Sequence, residues 1–344
     1  MPSERNNAIW YLLFTVLTLV LFLANLWYGS IVIPWKEVLN SLLGLSEAET
    51  SKVIVMEYRL PQAITAMITG MSLGVAGLLL QTLFRNPLAG PSVLGVSSGA
   101  SFGVAVAILA GGAFGIDFLA TSGIYNDFVV VLAALAGAMV VLLMILYASN
   151  RIGNIVTVLI IGIMIGYAVS AIVGVIQFFS RAEELHAYVL WGLGSFSKTD
   201  ISQSGFLFGL GFTGIVACSF LMKPLNAFLL GDKYARSVGV NTKQLQTVVI
   251  LISGVLIAVS TAFTGPIAFV GLAVPHLARN FFQTSNHRIL IPSVVLLGGS
   301  LTLLCNLIAK LPGYDTSLPI NAVTSFIGAP VVIWVIVKRG RIKR

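Results

Sequence analysis

Long apolar runs alternate along the chain with short polar segments, and its 20 basic and 12 acidic residues all lie outside the runs. The hydrocarbon core of a bilayer is ~30 Å thick, so one helical crossing needs about 20 apolar residues. The runs cover residues 8–30, 60–84, 86–116, 128–150, 152–180, 201–222, 244–278, 289–309 and 318–337. The pattern therefore predicts an all-α membrane protein, with one transmembrane domain over residues 1–344.

The run 244–278 decides how many times the chain crosses the membrane. It is interrupted by a Gly-Pro pair at 265–266 and is flanked by Lys243 and Arg279. One helix would place these two bases on opposite sides, whereas two helices keep both on the cytoplasmic side, as the positive-inside rule prefers. The second interpretation predicts ten transmembrane helices with both termini in the cytoplasm.

On that topology the charges sort by side. The cytoplasmic side carries fourteen bases and two acids, and the outer side six bases and ten acids, which together give the net charge of +8. The sequence pI of about 9.6 could otherwise suggest a nucleic-acid partner. Here the excess base is loop and tail charge that faces anionic lipid and cytoplasmic partners, so no nucleic-acid binding is expected.

The runs lack the residues that usually drive transport or catalysis. No acidic or basic side chain lies within a run, although ion-coupled carriers usually need one there. There is no phosphate-binding loop, the three histidines are scattered, and Cys218 and Cys305 both fall within predicted helices. We therefore expect no catalytic residue, metal or cofactor in this chain, and a driving force from another subunit.

Glycines at helix-packing spacing occur within the predicted spans. Gly70-x-x-x-Gly74, followed by Gly77, marks the second helix, and Gly162-x-x-x-Gly166 marks the fifth. Small residues at this spacing allow two helix backbones to approach closely in lipid. Helix packing is the first interpretation of these positions.

The longest predicted cytoplasmic loop, 223–243, contains a short helix over 232–238. Asp232 can cap its first turn, and Gly239 can adopt the left-handed conformation that ends it. Such a helix is too polar to insert and would lie across the membrane face. It would present three residues to the cytoplasm: Tyr234, Ala235 and Val238.

Seven motifs extend over about residues 55–338. They are Arg59-Leu60-Pro61, the stretch from Gln81 to Gly95, Trp191 with Gly194-Ser195, the stretch from Gly231-Asp232 to Gly239, the stretch from Gly265 to Arg279, Leu318-Pro319, and Ile327-Gly328-Ala329-Pro330. Together they strongly resemble the FecCD family, the permease subunits of ABC importers for iron–siderophore complexes, haem and vitamin B12.

The resemblance implies an assembly in a bacterial inner membrane. Two permease copies would surround a central path, with two cytoplasmic ATPases that bind ATP and Mg²⁺ and a periplasmic or lipid-anchored substrate-binding protein. A homodimer is expected because one chain has only one coupling loop for two ATPases, although a heterodimer with a related permease stays open. An iron–siderophore complex is the first expected substrate, with haem or cobalamin as alternatives.

The family pattern also assigns roles to residues. The ATPase-coupling positions are Gly231, Asp232, Ala235, Arg236 and Gly239. Arg59 and Lys310 match bases that meet acidic residues of the binding protein, although nearby acids make local salt bridges an alternative. The pore or gate would involve the fifth and tenth helices, at Ile155, Val156, Gly162 and Gly166.

Two other classes compete with this interpretation. A gradient-driven secondary carrier or channel would work without an ATPase, but the uncharged spans and the coupling loop count against it. A membrane scaffold without transport would leave the composite of motifs unexplained.

Overall fold

The computed structural model describes residues 4–46, 48–109, 124–310 and 317–342, and these residues are helical apart from short connections. A π-helical segment covers Ile54–Arg59 and a 3-10 turn covers Pro91–Leu94. The α-helices are α1 Glu4–Trp27, α2 Trp35–Leu42, α3 Glu49–Val53, α4 Leu60–Leu83, α5 Val96–Leu109, α6 Ile124–Arg151, α7 Ile155–Phe179, α8 Ala182–Gly192, α9 Ile201–Ser219, α10 Met222–Leu229, α11 Asp232–Ser237, α12 Thr242–Thr264, α13 Val270–Phe282, α14 His287–Ala309 and α15 Ile320–Ile342.

Several of these helices can cross a membrane. Seven are long and apolar enough by length and composition: they lie within Asn7–Trp27, Glu49–Leu83, Phe128–Arg151, Ile155–Phe179, Ile201–Ser219, Thr242–Thr264 and His287–Ala309. Two shorter apolar helices cover Val96–Leu109 and Ile320–Trp334. The predicted class, an all-α membrane protein, agrees with this architecture.

The run 244–278 is divided into two helices, as the Gly-Pro pair predicts. Helix α12 ends at Thr264, and Gly265 follows with φ +74°, a conformation that glycine adopts without a Cβ clash. The second helix, α13, begins at Val270 rather than at 266, after a non-helical connection that ends at Phe269 with φ +65°.

Helix α4 lies at the centre of the bundle and is buried along most of its length. It contacts α9, α12, α13 and α14. A Cβ atom on Gly70 would lie 2.2 Å from the Gly298 carbonyl oxygen, and one on Gly77 would lie 1.7 Å from the Gly271 carbonyl oxygen. The predicted glycine spacing in this helix is therefore a packing device, which brings the backbones of α13 and α14 against α4.

The remaining spans surround this centre. Helix α12 packs against both α4 and α6, and α6 pairs with α5. Cys218 and Cys305 are buried free thiols, so both belong to the packed interior. Helix α7 packs through one narrow side against α5 and the 3-10 turn, and it leaves most of its surface exposed in the single chain.

We predict that Gly77→Ala lowers the free energy of unfolding by about 1–3 kcal/mol or more, because the added methyl group overlaps the backbone of α13. Thermal unfolding in detergent, followed by size-exclusion chromatography, measures the effect. Gly209→Ala is the matched control, since Gly209 also lies within a spanning helix and no atom stands within 4 Å of its Cβ position. Equal melting temperatures for the two variants would contradict the central role of this contact.

Candidate functional site

The segment from 222 to 239, here called the 222–239 segment, contains two short helices at one end of the bundle. Helix α10 is followed by Gly231 at φ +118°, then by α11, and Gly239 at φ +87° follows α11. The predicted short helix is present and ends one residue earlier than expected. Positive φ angles at both glycines allow the two sharp turns that set α11 off from α10 and α12.

Two details of this segment differ from the sequence prediction. Gly231 occupies the N-cap position, and Asp232 is the first helical residue, with its carboxylate 3.0 Å from the Arg236 guanidinium. Ala235 is fully buried, so it does not face solvent. The expected cap and the expected exposure of Ala235 were wrong, because this side of α11 packs against its neighbours.

The segment also exposes four apolar side chains. Leu230 is 68% exposed, Val238 53% and Tyr234 47%, and Leu229 lies beside them with 41% of its surface exposed. We call these four residues the contact surface. Exposed apolar side chains in a cluster are typical of a protein–protein contact.

Side-chain contacts connect the segment to the bundle. The Arg85 guanidinium lies 4.7 Å from the centre of the Phe228 ring, and Arg236 donates from Nε to the Thr242 hydroxyl over 3.1 Å. Asn226 accepts from the backbone N–H of His287 over 2.8 Å. The segment is thus attached to the end of α4 and the beginnings of α12 and α14.

At the far end of α4, Arg59 is buried and Lys310 is half-buried, and both cap the end of α1. Arg59 donates to the carbonyl oxygens of Leu26 and Trp27. The Lys310 side-chain nitrogen donates to the carbonyl oxygen of Asn25 over 2.9 Å.

One more carbonyl oxygen in the last turn of α1, that of Ala24, accepts a hydrogen bond from the backbone N–H of Tyr28. The last four carbonyls of a helix lack partners within it, and a positive charge there also favours the helix dipole. These contacts satisfy all four.

This arrangement bears on the docking role expected of the two bases. Neither side chain has an acidic partner among the residues that the structure describes, so the alternative of local salt bridges is not seen there. Both point into the protein rather than outward. The contact with a binding protein stays a prediction, but the capping of α1 gives Arg59 and Lys310 a structural function that the sequence did not reveal.

The residues predicted for the pore lie on two different sides of α7. Gly162 packs closely, since its Cβ position lies 2.4 Å from the Val93 carbonyl oxygen. Gly166 has the Ser98 hydroxyl 3.4 Å from its Cβ position. Val156 is 54% exposed, and Ile155 is half-buried. The two glycines therefore set the distance between α7 and α5, and Val156 belongs to the open side.

Polar residues inside the bundle escaped the sequence analysis. Asn25 and Asn306 are buried and bonded to each other over 2.7 Å. Thr82 and His287 are also buried and lie 2.9 Å apart. In the sequence, each of these residues is a polar side chain near the end of an apolar run, which could have marked it as a candidate for a contact between helices. Only the fold shows which of these residues meet.

No group of three or more His, Cys, Asp or Glu side chains able to hold a metal occurs within the described residues. The polar side chains inside the bundle connect helices to one another, as Asn25 does with Asn306 and Thr82 with His287.

Comparison with known proteins identifies the class. The FecCD transport family matches residues 17–338. The vitamin B12 import system permease protein BtuC of Escherichia coli O127:H6 is 32% identical over 339 residues, which is 98% of each chain. The BtuC protein of Shigella sonnei has the same identity and coverage.

Solved structures agree with this assignment. One, of an inward-facing ABC transporter assigned to the metal-chelate type, superposes with a TM-score of 0.81 and 28% identity, covering 95% of this chain and 98% of that one. The structure of PsaBC from Streptococcus pneumoniae with a Fab has a TM-score of 0.52 and 13% identity, and it supports the fold alone.

The protein is therefore a multi-pass membrane permease subunit of a bacterial ABC importer, a class whose ATPase is a separate chain. The chain belongs to the FecCD transport family.

We predict that the thermal stability of the purified protein rises with pH above neutrality because of Lys310. Burial, followed by the charge of Arg59, lowers the pKa of Lys310 from 10.5 to about 7. Between these values the unfolded chain binds more protons than the folded one, so stability increases with pH across that window. Melting temperatures measured from pH 7 to pH 10.5 test this, and Lys310→Met should flatten the profile. An unchanged slope in the variant would exclude Lys310 as the cause.

Proposed function

We propose that this permease moves an iron–siderophore complex, haem or cobalamin from an external binding protein into the cytoplasm, driven by a partner ATPase. The observation that carries the proposal is the family membership together with the 222–239 segment, which is exposed on one side and attached to the central helix on the other. The related BtuC proteins are named for vitamin B12 import, which supports a large metal chelate as the substrate class.

We propose ten crossings with both termini in the cytoplasm. Seven helices meet the length and hydropathy of a span, and α5, α13 and α15 are the three further candidates. Helix α13 is short, at 13 residues, but it packs between α4, α14 and α15 rather than standing alone in lipid. The charge asymmetry of the loops supports this orientation.

Each of two permease copies would contribute one 222–239 segment to one ATPase, which binds ATP and Mg²⁺. The contact surface supplies apolar area for the docking. Gly231 and Gly239 supply the turns, Ala235 fixes α11 against its neighbours, and the Asp232–Arg236 pair lies at the exposed edge. ATP-driven closure of the ATPases would move this segment and with it the attached helices.

The substrate path is proposed along α7 and α15. Both helices leave apolar side chains uncovered in the single chain: Phe326 of α15 is 83% exposed, and α7 exposes a row that begins at Val156 and includes Ile160 and Met164. A second copy and a central path would together cover these surfaces. Gly162 and Gly166 would act indirectly, by allowing α7 to approach the 3-10 turn and α5.

The binding protein is proposed to dock on the face at the far end of α4 from the 222–239 segment. Arg59 and Lys310 would shape that face by stabilising the end of α1, because both side chains bond to its last carbonyl oxygens. The gradient-driven carrier has no observation in its favour, since the relatives named here are ABC importer permeases.

We predict that Asp232→Ala and Arg236→Ala uncouple ATP hydrolysis from uptake while the protein still folds. The pair is exposed, at 39% and 67%, and such pairs contribute only about 0.3–0.5 kcal/mol to stability. The measurement is import per ATP hydrolysed in proteoliposomes, with Lys233→Ala as the matched control on the same short helix. Normal coupling in both variants would defeat the assigned role.

We predict that the reconstituted importer accumulates at least one of three probes: a ferric hydroxamate chelate, haem or cyanocobalamin. The uptake must require ATP and survive dissipation of the proton and sodium gradients. Uptake that collapses with the gradients and proceeds without ATP would instead establish a secondary carrier.

A further inference from the structure

Asn226 connects the 222–239 segment to the first turn of α14. Its Oδ1 accepts from the backbone N–H of His287 over 2.8 Å, and its Nδ2 donates to Asn286 Oδ1 over 2.7 Å. The first N–H groups of a helix have no partner within it. A side chain of α10 therefore caps α14. The two helices are more than 50 residues apart in the sequence, and this contact joins them in space.

The same contact determines which nitrogen of His287 carries the proton. Because a backbone N–H donates to Asn226, the atom that receives it must be the amide oxygen. That oxygen also lies 2.9 Å from His287 Nδ1, so Nδ1 carries the hydrogen. In the neutral ring Nε2 is then an acceptor, so the bond across the 2.9 Å to Thr82 is one that the Thr82 hydroxyl donates. The Leu78 carbonyl oxygen, also 2.9 Å from that hydroxyl, is the second acceptor available to its single hydrogen.

The hydrogen bonds thus run in one direction, from Thr82 at the end of α4, through the ring of His287 in α14, to Asn226 in α10. Thr82 and His287 are almost fully buried, at 3% and 1% exposure. The His287 ring bonds to Thr82 on one side and to Asn226 on the other, so a shift of α10 relative to α4 would leave a buried ring nitrogen without its partner. Helices α4 and α14 are in turn locked by the close approach of Gly70 and Gly298.

We propose that Thr82, His287 and Asn226 form a rigid connection through which movement of the 222–239 segment reaches α4 and α14 together. These are positioning residues: they touch neither substrate nor nucleotide and act through the helices they join. The inference rests on the proposed contact of the 222–239 segment with an ATPase. It names a route into the central helix pair that is separate from the covalent route into α12.

The test uses the permease in complex with its ATPase, with Cys218 and Cys305 replaced by serine. A spin label is placed at Lys233, which is exposed on α11 outside the contact surface, or at Leu304 on the exposed side of α14. The spectral response to ATP and vanadate is recorded at each label. The connection predicts that both labels respond in the otherwise unmodified protein.

In Asn226→Ala the label at 233 should still respond, whereas the response at 304 relative to that at 233 should fall by a factor of about 5 or more, the effect of losing one or two part-buried hydrogen bonds. Thr82→Val, which keeps the side-chain shape, should act in the same direction. Asn226→Asp retains the accepting oxygen and should restore part of the response. The variant that combines Asn226→Ala with Thr82→Val should show the same response at 304 as Asn226→Ala alone, because the chain of bonds is already broken.

Asn150→Ala is the matched control. Asn150 accepts a hydrogen bond from Thr247 over 3.0 Å, joins α6 to α12 and does not involve α10. It should leave both responses unchanged. An undiminished response at 304 in Asn226→Ala, with the ATPase still bound, would overturn the connection alone. Absence of a response at 233 in the otherwise unmodified complex would overturn the proposed ATPase contact and the connection with it.

Discussion

The close approach of α4 to its neighbours is the constraint on which the rest of the structure depends. In lipid there is no hydrophobic drive between helices, so association rests on backbone contact and internal hydrogen bonds. Gly70 and Gly77 allow that contact along two sides of α4, towards α14 and α13. A central helix fixed in this way cannot slide by small amounts, so a displacement at one end is transmitted along it.

Helix ends in this protein are satisfied by residues from distant parts of the chain. The end of α1 is capped by Arg59 and Lys310, and the beginning of α14 by Asn226. Unpaired backbone groups are costly where water is scarce, which explains why even the charged side chain of Arg59 is buried for this purpose. The two sets of contacts lie at opposite ends of α4, and each joins a peripheral element to it.

The sequence predicted the broad architecture because hydropathy and charge act locally. The break after Thr264 followed from Gly265-Pro266, and the short helix before Gly239 followed from its turn residues. The burial of Ala235 and of Arg59 did not follow, because it depends on which helices meet in three dimensions. The interaction of Thr82 with His287, 205 positions apart, has no local signature at all. The family resemblance supplied the importer class, which no composition or spacing could establish.

The most direct test of the account is photo-crosslinking from position 234 in native membranes. A photoreactive amino acid replaces Tyr234, an exposed member of the contact surface, and a second variant carries it at Tyr58, which is 66% exposed at the other end of α4. The account predicts an adduct with a nucleotide-binding subunit from position 234 and none with that subunit from position 58. An ATPase that co-purifies with the permease but crosslinks only from position 58, or from neither position, would contradict the account.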